Sequence, residues 1–145
     1  MQNYTRMLEA EGICKRLVET YPDIFPDVDP NSIVAMGLQV KRPKHYLANI
    51  RIPRGIIKAL FEMLKTKYEF VIEIPLISWA PLDKARKQWI LFHELCHIYK
   101  DPETGKYSLL QHDVQDFALV LKNVDIGWQR SEKLPELLGA EPFKF

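Results

Sequence analysis

Cysteine is nearly absent: Cys14 and Cys96 are the only two in 145 residues. Two such residues exclude a disulfide framework and any cysteine-rich zinc ribbon. Charge of one sign is lacking too, for the net charge is +1, so no global attraction to nucleic acid or membrane is expected. No apolar run approaches membrane-spanning length, and the opening Met1-Gln2-Asn3-Tyr4-Thr5-Arg6 is not a secretory leader, so a cytoplasmic location is expected. No internal repeat or low-complexity tract interrupts the chain. Apolar residues make up 47%, enough for a real core, and a single domain over residues 1–145 is expected.

Residues 84–99 contain neither glycine nor proline. Asp83 is placed to cap a helix there, and Asp101-Pro102 to stop it. After Lys84, Arg86 and Lys87 the segment turns apolar on nearly every side: Trp89, Ile90, Leu91, Phe92, Leu95, Cys96, Ile98 and Tyr99. A helix of that composition is buried. It nevertheless carries His93, Glu94 and His97, in the order His-Glu-Leu-Cys-His. Burying such groups without partners costs several kcal/mol, on the order of 2–7 each. Histidines four apart share a helix face and can place ring nitrogens on one metal ion. Glu94 lies about 100° round the axis, beside the metal, where a carboxylate takes a proton from water. This pentapeptide is a known zinc-peptidase signature.

A third ligand must come from elsewhere. The longer metzincin pattern is excluded, since Lys100 and Glu103 stand where it needs glycine and histidine. Further on, His112 and Asp116 lie four apart in a second helical pattern over residues 112–122. Either can bind zinc. His112 would complete a three-histidine set, with Asp116 orienting a ligand; alternatively Asp116 is itself the ligand. Asp113 reads as a charge at that helix's start, and Cys96 as a core residue that points away from the histidines. His45, in a basic stretch, reads as exposed.

At these residues the chain resembles the phage-type metallopeptidase family, small zincin-like proteins. The resemblance rests on His93-Glu94-Leu95-Cys96-His97-Ile98, on His112-Asp113-Val114-Gln115-Asp116-Phe117, and on Gly127-Trp128. The strand Phe70-Val71-Ile72-Glu73-Ile74 and Trp79 also fit. It covers residues 68–128 well and the first 60 poorly. It implies Zn2+ held by His93, His97 and His112, with Glu94 catalytic, and it implies no particular substrate.

The remaining pattern predicts an α+β fold: a short mixed sheet packed on the buried helix, with flanking helices. Helices are expected over 3–20 and 56–64, and strands over 33–40, 47–52 and 68–78. The strand from Glu69 to Ser78 is the candidate to pair with an extended peptide substrate. Tyr107, Trp128 and Arg130 are candidate second donors to an oxyanion. The tail 129–145 is expected to fold back on the core. Residues 41–68 hold eight cations against Glu62 alone, a surface that could meet phosphates but reads more simply as a solvated face balanced by acidic segments.

The function expected is therefore a zinc-dependent peptidase acting on a peptide or protein. Two other classes make different demands. A zinc-stabilised interaction module that does not cleave would close its site with Asp113 or Asp116. A nucleic-acid accessory protein would bind DNA through residues 41–68 with strong salt dependence.

Overall fold

The computed structural model describes residues 3–112, 120, 128 and 134–145. The fold is α+β. Strands β1 (Asn3–Arg6), β2 (Ile33–Gln39), β3 (Asn49–Arg51) and β4 (Phe70–Pro75) form a mixed sheet in the order β1-β2-β4-β3. β2 and β4 pair in parallel, Ile33 against Phe70 through Leu38 against Pro75. β2 is buried over most of its length, as a central strand with covered faces is, whereas β4 alternates between buried and half-buried residues. β1 and β3 flank them antiparallel.

Helix α1 (Leu8–Thr20) and helix α4 (Lys84–Cys96) pack together beneath the sheet. Ile13, Cys14 and Leu17 of α1 join Phe70, Ile72 and Ile74 of β4 in one core with Trp89, Leu91 and Phe92 of α4. The strict alternation on β4 turns those three residues inward. Gly37 on β2 admits close neighbours: a Cβ there would lie 2.8 Å from Leu76 Cδ2 and 2.9 Å from Met7 Sδ.

Several boundaries differ from those expected. The first helix begins at Leu8, because Asn3–Arg6 pairs with β2 instead and Met7 N–H donates to Ala35 O. The strand over 68–78 is shorter, since residues Leu76–Trp79 turn into the short helix α3. It is also interior. β4 is bonded to β2 on one side and, over Val71–Glu73, to β3 on the other. The stretch Glu69 to Ser78 therefore cannot take an added strand there; the edge strands are β1 and β3. Helix α2 (Gly55–Met63) forms where expected but buries none of its residues. Most of the second helical pattern, with Asp113, Asp116 and Arg130, lies outside the described residues.

The C-terminal tail does pack on the core. Gln88, buried on α4, accepts hydrogen bonds at Oε1 from Leu137 N (2.8 Å) and Leu138 N (3.1 Å). Trp89 Nε1 donates to Pro135 O at 2.7 Å, and the rings of Phe92 and Phe145 stack at 4.9 Å. Replacing Gln88 by leucine strands two backbone donors. We expect a loss of about 1–3 kcal/mol in urea denaturation; an unchanged midpoint would show that Gln88 does not hold the tail.

Candidate metal centre

Asp83 begins α4 as expected, accepting from Arg86 N at 2.8 Å. The helix ends sooner than proline at 102 would require. His97 is its C-cap, with φ −70° and ψ −22°, and the chain passes directly into strand β5 (Ile98–Lys100). β5 pairs with β6 (Tyr107–Leu109) in a hairpin. Asp101 builds the turn: its Oδ1 accepts from Glu103 N (2.8 Å) and Thr104 N (3.3 Å). Gly105 completes it with φ +71°, a conformation open to glycine.

The hairpin returns the chain to the helix end. Leu110 N–H donates to His97 O at 2.6 Å, and His97 Nδ1 lies 2.6 Å from Leu110 O. A carbonyl can only accept, so Nδ1 carries the proton and Nε2 presents its lone pair. Two residues on, His112 meets the helix histidines. Its Nε2 is 2.9 Å from His93 Nε2 and 3.2 Å from His97 Nε2.

Three ring nitrogens thus converge, and the three residues form a group able to hold a metal ion. The donor set can be tested against that role. Ligands about 2.0–2.1 Å from a four-coordinate ion lie about 3.3 Å apart. The observed separations are close to this, all three donors are imidazole nitrogens, and His97 is oriented by a carbonyl in the manner of ligating histidines. Among the described residues, these three fit a metal ion.

Glu94 is buried beside this group. Its Oε1 is 3.9 Å from His93 Nε2 and its Oε2 4.0 Å from His97 Nε2. Oε2 accepts from Ile50 N at 3.1 Å. The edge strand β3 therefore holds the carboxylate through its backbone. Burial raises the pKa of the neighbouring Cys14 thiol, and Glu11 and Glu94 raise it further. Cys14 is accordingly a neutral core group.

A cavity of ≈ 330 Å³ opens over the histidines, walled by residues 45–49 and by Trp128. Exposed His45 thus sits at the cleft. Tyr46 donates its hydroxyl to Glu73 in a very short hydrogen bond; burial and Glu73 push its pKa up to about 12. This wall was not assigned to the site from sequence, although the strand at 47–52 was expected. Of the candidate oxyanion donors, Trp128 lines the cleft. Tyr107 does not: its hydroxyl donates to Asp27 O at 2.7 Å and it faces a different cavity. Cys96 lines a separate apolar recess with Phe25 and Ile98.

The helix bearing two histidines and a glutamate, met by a third histidine, thus carries a group able to hold a metal ion. A family model described as "Putative phage metallopeptidase" matches residues 2–140, and the chain belongs to that family. The match extends well beyond residues 68–128, which carry the sequence resemblance. No curated protein and no solved structure matches the chain.

His112→Ala should remove one of three ligands. Native mass spectrometry is expected to show about one metal ion per wild-type chain and little in the variant. Full occupancy in the variant would place the third ligand elsewhere.

Proposed function

We propose that this protein is a zinc-dependent peptidase. The observation that carries the reading is the convergence of three Nε2 atoms with the Glu94 carboxylate about 4 Å from two of them. Zinc is the ion that three imidazoles and an open tetrahedral position suit best. Held by His93, His97 and His112, it supplies Lewis acidity, lowering the pKa of a water toward about 7 and polarising a scissile carbonyl.

The chain's own residues do the rest. Glu94 accepts the proton of the attacking water and returns it to the nitrogen of the leaving amine. Ile50 N–H fixes Oε2, and Oε1 is the oxygen we assign to the proton. The substrate is an extended peptide, and the edge that receives it is β3. Asn49 and Arg51 pair inward with β4, so by alternation the main-chain groups of Ala48 and Ile50 point outward. Ile50 N–H reaches Glu94; the N–H and C=O of Ala48, in the cleft wall, are offered to a substrate backbone. Trp128 is placed to bear on the same peptide.

Glu94→Gln tests the reading. It keeps the size of the side chain and removes the base. We expect metal content unchanged and hydrolysis of casein or a quenched fluorescent peptide lowered by about 10²–10⁴. Equal turnover in the variant would remove Glu94 from the mechanism. A metal-loaded wild type that cleaves no peptide would favour the interaction module.

A further inference from the structure

Helix α2 is amphipathic in the wrong sense. None of its residues is buried. Ile56 is 75% exposed, Met63 77% and the adjoining Leu64 71%, and Ile57 and Leu60 are exposed as well. At about 100° per residue, Met63, Ile56, Leu60, Leu64 and Ile57 fall in succession on one arc of about 120°. The opposite side carries Lys58 and Glu62. With half-buried Phe61 they line a cavity of ≈ 970 Å³ that lies between α2 and the β5–β6 turn. The polar side thus faces the body of the protein and the aliphatic side faces water. A contiguous apolar surface of this kind marks an interaction site.

Charge narrows the partner. The chain's net +1 conceals a surplus of seven positive charges within residues 41–68. Arg54, Lys58, Lys65 and Lys67 belong to α2 or its immediate flanks, and all are exposed. Among the described residues none of the four is in an ion pair. A second copy of the chain would set these like charges against each other across a two-fold axis. Nucleic acid would satisfy the cations but leave the aliphatic arc in water, and the arc offers no ring for base stacking. An anionic lipid surface takes both: aliphatic tips enter the acyl boundary while lysine and arginine meet the head groups. No helix among the described residues is long and apolar enough to cross a membrane, so the contact is peripheral.

We infer that α2 docks the protein onto an anionic membrane surface. The test is cosedimentation of the full chain with phosphatidylcholine vesicles, with and without about one-third phosphatidylglycerol, at low and high salt. The wild type is expected to sediment with the anionic vesicles only, and less at high salt. Ile56→Asp with Met63→Asp should lower binding by at least about tenfold. Arg54→Gln and Lys65→Gln, exposed at the two ends of the helix and outside that cavity, should each lower it by about fivefold, one cation's share. All these side chains are exposed, and an unchanged urea-denaturation midpoint reports that the fold is kept. Absence of binding to anionic vesicles would overturn the proposal, as would binding unaffected by the two aspartates. So would a wild-type dimer that the aspartates convert to monomer, since the face would then belong to a second copy.

Discussion

The site depends on a reciprocal pair of hydrogen bonds between two residues. His97 accepts from Leu110 through its carbonyl and donates to Leu110 through its ring. The first bond closes the hairpin at the point where α4 stops. The second fixes both the proton and the orientation of the imidazole. Together they couple the end of a buried helix to the segment that carries His112, so one junction sets the position of all three nitrogens. An imidazole held only by rotamer preference would sweep several ångströms. Here its direction follows from backbone geometry, which side-chain substitution does not alter directly.

The second constraint comes from the sheet. β3 is only three residues long, yet it performs two tasks. Its inward bonds complete the sheet against β4. Its outward Ile50 N–H holds the glutamate beside the metal ligands. The segment just before it forms the cleft wall, and that wall is tied by Tyr46 to Glu73 on the adjacent central strand. Glu73 accepts also from Tyr4 of β1 at 3.0 Å. The wall is thus braced against three strands of the sheet.

Much of the centre was legible in the chain because its chemistry is local. Asp83 as a cap, the uninterrupted apolar helix and the His-Glu-Leu-Cys-His spacing all act within a few residues. The end of α4 was not legible. Ile98 and Tyr99 continue the helical pattern, and they leave it because a strand ten residues later offers them backbone partners. The turn that makes this possible did leave a trace: Asp101-Pro102 followed by Gly105 between short runs with β-branched or aromatic residues. β1 was absorbed into the first helix for the same reason, since its partner lies more than thirty residues away. The interior place of β4 was not legible because a strand's propensity says nothing about its place in the sheet. Phe70–Pro75 is the strongest strand of the chain, and strong apolar strands belong in the middle; the weak three-residue strand takes the edge.

The three histidines lie within twenty consecutive residues, on one helix end and one hairpin. The base's anchor and the cleft wall come from more than forty residues upstream. On the proposed function, metal capture and placement of the base thus draw on different segments of the chain. The helix end and the hairpin bring the three histidines together without any residue of the sheet β1–β4. Ion content then reports on the smaller, local unit, and a preparation fully loaded with metal can still contain molecules whose glutamate has no strand to hold it.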